Sequence, residues 1–168
     1  MIVGDVWVKT PRLVAEFGDG EHVFPDTGPN RVWPDELRAL RDRLEADLGE
    51  PFNYAIANWY RDGRDFTGWH ADKMDLHRPG SSIAMVSVGV ERTFEFRRAA
   101  DGVVVSTTAV GHGSLLVMHP TSQVGYEHSL RPDPSLVGPR LSLTFRQVLP
   151  TNAEPCCSSL AGGGDRTT

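Results

Sequence analysis

The apolar positions of the chain follow a helical spacing in one stretch, just before residue 50. Four leucines recur there at intervals of three and four residues: Leu37, Leu40, Leu44 and Leu48. Pro34 suits the first turn of a helix, and Gly49 suits the position just past its end. The pattern therefore predicts one amphipathic helix, over about 34–48, that packs on a sheet through its leucine face.

Short apolar runs separated by turn sequences occupy most of the rest. Residues 1–33 contain such runs broken by glycine and proline, which predicts one or two short strands and loops. After Pro51 the predicted strands are 52–59, 82–90, 93–97, 103–108, 114–118 and 140–149. Many short strands after a single helix predict a mainly β fold with one or two helices, most simply an eight-stranded jelly roll.

Length and composition are those of one globular domain. The chain has 168 residues, of which 39% are hydrophobic and 23% charged. No apolar run approaches the roughly 18–20 residues of a membrane span, so a soluble, intracellular (cytoplasmic) protein is expected. Residues 150–168 are rich in small and polar side chains and are predicted to be a disordered tail after a domain over 1–149.

The charge balance leaves two interpretations of the basic residues open. A net charge of −5 argues mildly against a protein that coats nucleic acid. Fifteen of the seventeen cationic side chains are arginine. They either form a local binding face or are spread over a solvated surface.

Candidate metal ligands and candidate anion-binding arginines come from two distant parts of the sequence, His70 and Asp72 in one and His128, Arg140 and Arg146 in the other. On extended backbone, His70 and Asp72 point to the same side, because side chains in a strand repeat every two residues. With His128 they would supply two imidazoles and one carboxylate, a set typical of non-haem Fe(II) oxygenases and also used by zinc. Arg140 and Arg146 are six residues apart, so both face one side of the last strand. Two inward guanidinium groups require an anion, and a dicarboxylate would satisfy both.

These residues belong to a longer series of motifs that resembles one family. The series comprises Asn58-Trp59-Tyr60 with Asp62-Gly63, Trp69-His70-Ala71-Asp72, Ile83–Gly89, 92–97, 112–118, His128-Ser129-Leu130 and Arg140–Arg146. In order and spacing, from about Pro11 to Leu149, it resembles the AlkB-like 2-oxoglutarate- and Fe(II)-dependent dioxygenases. The segments around Arg12 and Phe17 are similar to the subgroup that repairs nucleic acid in animals.

The resemblance implies a double-stranded β-helix (jelly roll) and a specific reaction. This reaction is oxidative dealkylation of N-alkylated bases in DNA or RNA, coupled to decarboxylation of 2-oxoglutarate to succinate and release of formaldehyde. It uses Fe(II), 2-oxoglutarate and dioxygen, and a monomer is expected. The implied iron ligands are His70, Asp72 and His128. The implied contacts to 2-oxoglutarate are Asn58, Tyr60, Arg140, Thr144 and Arg146.

The chain departs from the family pattern near the substrate. Members usually carry Asn at the position of Ser142. Where members that act on bases place an acid, this chain has Met74, followed by Asp75, which is a candidate substitute. A thioether cannot accept the strong hydrogen bond of a carboxylate.

The N-terminal lid region, residues 1–33, is expected to be shortened. An aromatic wedge normally precedes the position of Arg12, and this chain has Ile2, Val3 and Gly4 near there. Because a wedge offsets part of the cost of extruding a base, its absence favours single-stranded substrates. Phe24 is a candidate for stacking on a base, and Arg12 for contacting a phosphate or base.

Two further hypotheses fit the same residues. One is the same chemistry on a small molecule or a protein side chain, and the other is a non-catalytic jelly-roll binding module. Three other histidines, His77, His112 and His119, are interpreted as loop residues.

Overall fold

The structure, a computed structural model, describes residues 11–19 and 30–149 and the backbone of two short strands before them. These strands, β1 (Ile2–Val3) and β2 (Val6–Trp7), pair in antiparallel fashion. The tail predicted over 150–168 lies outside the described residues.

Two antiparallel sheets form the body of the described chain. The larger has the order β3 (Leu13–Gly18), β4 (Tyr54–Tyr60), β11 (Arg140–Arg146), β6 (Ile83–Gly89), β9 (Leu115–Met118). The smaller has the order β5 (Thr67–His70), β10 (Tyr126–Leu130), β7 (Arg92–Arg98), β8 (Val104–Val110). Short 3-10 turns lie at Met74–Leu76 and Pro120–Gln123. The mainly β jelly roll with one helix confirms the predicted fold class.

The helix α1 (Asp35–Leu48) forms where the leucine spacing predicts it. It ends at Gly49, whose φ of 69° is left-handed and whose N–H donates to the carbonyl of Glu45. Its leucine face packs on the outer side of the larger sheet. The buried residues of this core are Trp33, Leu37, Leu44, Phe52, Ala55, Ala84 and Phe145. Within the described residues, no helix is long and apolar enough to span a bilayer.

A second core lies between the two sheets. Tyr60 and Met85 of the larger sheet pack there with Phe94 and Leu130 of the smaller one, so the sheets face each other. Alternate side chains of β11 point to opposite sides of the larger sheet. Phe145 packs under the helix, while the even-numbered residues of the strand face the space between the sheets.

Two observed strands were not among those predicted, and both carry candidate ligands. β5 (Thr67–His70) and β10 (Tyr126–Leu130) are short and contain Gly, Glu and Ser between their few apolar residues. β10 is hydrogen-bonded on both sides, to β5 and to β7. Strand pairing therefore stabilises it more than burial of its own apolar side chains does. The last strand ends at Arg146, three residues earlier than predicted.

Candidate metal and cosubstrate site

The open side of the space between the sheets forms a cavity of about 500 Å³. Strands β3, β4 and β11 contribute one wall, and β5, β10 and the loop after β5 contribute the opposite wall. The cavity is lined by apolar side chains together with a few convergent charged groups, as ligand sites are.

Three candidate metal ligands meet at this cavity. His128, in the middle of β10, is the register partner of His70 at the end of β5, and their ring centroids lie 4.3 Å apart. Asp72 joins them, and the donor atoms of the three side chains all lie within 4.8 Å of one another. This is close enough for one ion to reach all three.

The sequence predicted that His70 and Asp72 lie on the same strand. This prediction is right for His70 and wrong for Asp72. β5 ends at His70, and Asp72 lies in the following loop. Its backbone N–H donates to the Oε1 of Gln123 at 2.9 Å, a contact that the sequence did not reveal. Gln123 is buried and belongs to the 3-10 turn before β10, so it ties the loop carrying Asp72 to the strand carrying His128.

The charges at the site suit a divalent cation. Burial by itself would raise the pKa of Asp72, but Arg146 and the neighbouring histidines outweigh it and lower the pKa to about 2. Burial, reinforced by His70, lowers the pKa of His128 to about 4. At neutral pH the site therefore presents a carboxylate and a neutral imidazole, which are the forms that bind metal ions.

The two candidate anion-binding arginines are buried and only partly satisfied. Arg140 is 2% exposed, donates from Nη2 to the Oγ of Ser87 at 2.8 Å, and has no partner for Nε among the described residues. Arg146 is 7% exposed and donates from Nη2 to Asp72 at 3.1 Å, while its buried Nη1 has no partner in that part of the chain. Burial lowers the pKa of Arg140. Unused donors on two buried guanidinium groups fit a ligand with two carboxylates, such as 2-oxoglutarate.

The other predicted cosubstrate contacts also face the cavity. Asn58 accepts a hydrogen bond on Oδ1 from the Nε of Arg12 at 2.6 Å. The hydroxyl of Tyr60 is hydrogen-bonded to Thr67 at 2.8 Å, and Thr144 is buried in the lining. All five residues predicted from the sequence to hold 2-oxoglutarate thus lie on one wall.

The predicted substrate contacts are only partly brought together. Arg12 lines the cavity, whereas Met74 and Asp75 are not part of its lining. Met74 packs against the core between the sheets, and Asp75 is exposed. Phe24 lies outside the described residues.

Several cavity residues carried no signal in the sequence. Glu16 and Lys73 both line the cavity. His77, interpreted as a loop residue, is 3% exposed and also lines the cavity, and burial lowers its pKa to about 4. Its backbone bridges to Val148, which places it beside the end of β11.

The other two histidines lie in turns. His112 accepts a hydrogen bond from the backbone N–H of Gly89 at 3.2 Å, and His119 caps the 3-10 turn before β10. Neither lines the cavity.

Comparisons with known proteins agree with this geometry. The family described as the 2OG-Fe(II) oxygenase superfamily matches residues 20–146. DNA oxidative demethylase ALKBH2 of Mus musculus is 37% identical over 155 residues, covering 86% of this chain and 65% of that protein. Alpha-ketoglutarate-dependent dioxygenase alkB homolog 3 of Homo sapiens is 32% identical over 156 residues, covering 87% of this chain and 54% of that protein.

The fold is shared with a solved structure of low sequence identity. The structure of OsALKBH1 superposes with a TM-score of 0.62 at 20% identity and covers 84% of this chain and 82% of that one. The chain spans between about half and two thirds of the length of the two curated relatives above. The matched family and these relatives show that the chain belongs to the 2OG-Fe(II) oxygenase superfamily, within its AlkB-like group.

Proposed function

We propose that the protein is an Fe(II)- and 2-oxoglutarate-dependent dioxygenase that removes alkyl groups from the ring nitrogens of nucleobases. The observation that carries this proposal is the convergence of His70, Asp72 and His128 within 4.8 Å beside two buried, partly unsatisfied arginines in one cavity. The names of two relatives, DNA oxidative demethylase ALKBH2 and a dioxygenase homologous to AlkB, support nucleic acid as the substrate.

Membership of the superfamily implies Fe(II), 2-oxoglutarate and dioxygen as cofactors. When bound, they supply the oxidation of the N-alkyl carbon, after which the alkyl group leaves as an aldehyde, formaldehyde from a methyl group. The residues proposed to hold Fe(II) are His70, Asp72 and His128. Those proposed to hold 2-oxoglutarate are Asn58, Tyr60, Arg140, Thr144 and Arg146.

The protein residues position the reactants and keep the site dry. Arg140 and Arg146 stand at opposite ends of one strand, so a dicarboxylate that spans them has a fixed direction. Phe94 and Leu130 close the cavity on the side of the smaller sheet and are buried. Exclusion of water from this wall strengthens every charge interaction inside the cavity.

The preferred form of the nucleic acid and the assembly state are also proposals. The sequence before Arg12 has Ile2, Val3 and Gly4 where an aromatic wedge would assist extrusion of a base from a duplex. Single-stranded DNA or RNA is therefore the expected substrate. A monomer located inside the cell remains the expectation from the sequence.

The test is removal of a methyl group from defined oligonucleotides. Protein loaded with Fe(II) in the presence of ascorbate is incubated with 2-oxoglutarate and methylated single strands or duplexes, and the bases are identified by mass spectrometry. Loss of the methyl group that requires 2-oxoglutarate, and that is faster on single strands, is expected. Equal rates on both forms would contradict the expected preference for single strands.

A matched pair of variants ties the reaction to the site. Asp72→Asn removes the only carboxylate among the three ligands and is expected to abolish both stoichiometric metal binding and demethylation. Asp47→Asn makes the same change on the exposed face of α1 and should leave both unchanged. If only methylated peptides or small molecules were turned over, the alternative of a protein or small-molecule hydroxylase would replace the proposed function.

A further inference from the structure

His77 lies at the end of the cavity that also contains Arg146, and the proposed reaction gives it no role. It directly follows the 3-10 turn Met74–Leu76, and its backbone forms an antiparallel bridge with Val148. Two backbone hydrogen bonds, 3.0 and 2.9 Å long, flank this bridge and join the same two segments. The position of His77 is therefore fixed against the chain that continues β11.

This pairing directs the side chain of His77 into the cavity. Val148 lies two residues beyond Arg146 on extended backbone, so the two side chains point to the same face. A residue directly opposite Val148 in an antiparallel pair also points to that face. Both His77 and Arg146 line the cavity, and the charge of Arg146 contributes to the lowered pKa of His77. His77 therefore stands beside Arg146.

The two ring nitrogens of His77 have different surroundings. Nδ1 is enclosed and has no hydrogen-bond partner among the described residues, whereas Nε2 is not enclosed. Burial lowers the pKa of His77 to about 4, so at neutral pH the ring carries one N–H and one lone pair. A proton on Nδ1 would be a buried donor without an acceptor, which is rare in folded proteins. The favoured tautomer thus has its N–H on Nε2, available to the cavity.

A neutral N–H donor beside an arginine fits a carboxylate. Arg146 donates from Nη2 to Asp72 at 3.1 Å, and its Nη1 has no partner in the described part of the chain. A carboxylate has about four lone-pair sites, more than one guanidinium group fills. A neutral histidine adds a hydrogen bond to such a ligand without placing a second positive charge next to Arg146 and the metal site.

The position of His77 does not make it a metal ligand. Among the described residues, the donor atoms that converge within 4.8 Å are those of His70, Asp72 and His128, and His77 is outside this set. The ligand that it contacts is therefore sought in the space next to Arg146.

We propose that His77 donates a hydrogen bond from Nε2 to the carboxylate of 2-oxoglutarate that pairs with Arg146. The inference rests on the proposed function and adds His77 to the residues proposed to hold the cosubstrate. In the sequence His77 belongs to none of the motifs on which the cosubstrate site was predicted. Its contribution depends on the bridge to Val148, which only the fold provides.

The experiment compares two replacements of similar size and shape. His77→Gln keeps a side-chain N–H at about the distance of Nε2 from the backbone, and His77→Met has no N–H. His112→Met makes the same change as the second variant at an exposed turn. The quantities measured by calorimetry are the Kd for Zn²⁺, which undergoes no redox change, and the Kd for 2-oxoglutarate of the Zn²⁺-loaded protein.

The expected result separates the hydrogen bond from packing. His77→Met should raise the Kd for 2-oxoglutarate about tenfold to a hundredfold, the range for a hydrogen bond to a charged group. His77→Gln should recover most of this loss, because it restores the donor. The Kd for Zn²⁺ should stay at the wild-type value in both variants, and His112→Met should match wild type in both measurements.

Three results would overturn the role of His77. They are an unchanged Kd for 2-oxoglutarate in His77→Met, an equal loss in the Gln and Met variants, which a packing role would give, and weaker binding of Zn²⁺ in His77→Met. If the wild-type protein loaded with metal did not bind 2-oxoglutarate, the proposed function would fall together with the inference. Wild-type binding that does not depend on His77 would refute the inference alone.

Discussion

Arg140, one of the two arginines at the ends of β11, shows how much a single side chain contributes to this site. Arg140 is buried against the ring of Tyr60, with its Cζ 5.3 Å from the ring centroid, and donates to Ser87. A lysine would keep the charge but lose the planar fork that matches a carboxylate at two points. The geometry of Arg140, beyond its charge, is what the proposed cosubstrate requires.

Replacement of Arg140 should weaken the binding of 2-oxoglutarate without changing the binding of the metal. Arg140→Lys is expected to raise the Kd for 2-oxoglutarate about tenfold to a hundredfold, the loss of one charge-assisted bidentate contact. The Kd is measured calorimetrically on protein loaded with a redox-inert divalent ion. Arg43→Lys, on the exposed face of α1, is the control. An unchanged Kd in Arg140→Lys would remove this residue from the proposed site.

The buried histidine His77 makes the stability of the metal-free protein depend on pH. Its pKa is lowered from 6.5 to about 4, chiefly by burial and then by Arg146. Between these values the unfolded chain binds a proton that the folded chain does not. The free energy of unfolding therefore falls as the pH drops from about 6.5 to about 4, by on the order of 1–3 kcal/mol.

Urea unfolding of metal-free protein across this pH range checks the sign and the residue. His77→Gln should flatten part of the slope, with the remainder due to His128, whose pKa is also lowered to about 4. His119→Gln, at an exposed turn, should keep the wild-type slope. A slope that is the same in all three proteins would contradict the assignment to His77.

The role of a residue could be predicted from the sequence only where its charge and its position in a strand together require a partner. Arg140 and Arg146 lie on the same face of a predicted strand and therefore require an anion, and both are buried at the cavity as expected. Glu16 and His77 gave no signal, because a single acid on an edge strand or a histidine in a loop is ordinary in sequence. Their importance comes from burial and from neighbours distant in the chain.

At the scale of elements, the helix is the part that local pattern determines most fully. The spacing of its leucines, the proline before it and the left-handed glycine after it all agree with the observed Asp35–Leu48. Its function is to cover the outer side of β11 and leave the inner side to the cavity. Leu44, 5% exposed, lies in the core between helix and sheet.

Shortening the side chain of Leu44 should destabilise the fold without changing any residue of the site. Leu44→Ala is expected to cost about 2–4 kcal/mol in the free energy of unfolding, measured with urea, because it leaves a cavity in the core. Arg43→Ala, one position earlier and exposed, should change it little. Equal losses in both variants would mean that the leucine face does not hold the helix on the sheet.

The two strands absent from the predictions show where local pattern fails. β5 and β10 carry His70 and His128, and contacts outside their own segments hold them in place. The guanidinium of Arg97 lies 4.5 Å from the ring centroid of Trp69 and pairs with Glu127 at 2.6 Å. A search for apolar alternation cannot find strands that are stabilised by neighbours in this way.

At the scale of the whole molecule, one buried arginine connects the loops around the site. Arg92 is 3% exposed and donates to the backbone carbonyls of Asp65 and Arg131 at 2.9 and 2.6 Å. These carbonyls belong to the segments after β4 and after β10, so Arg92 ties both sheets together near Tyr60. The sequence placed Arg92 in a matching motif without revealing this role.

We expect the assembled site to couple the oxidative decarboxylation of 2-oxoglutarate to removal of an N-alkyl group. The most direct test measures succinate and formaldehyde together in reactions with a methylated single-stranded oligonucleotide, under air and without oxygen. Equal amounts of the two products are expected under air, and neither product is expected without oxygen. Succinate at background level, or succinate formed while the oligonucleotide stays methylated and no formaldehyde is released, would contradict this coupling.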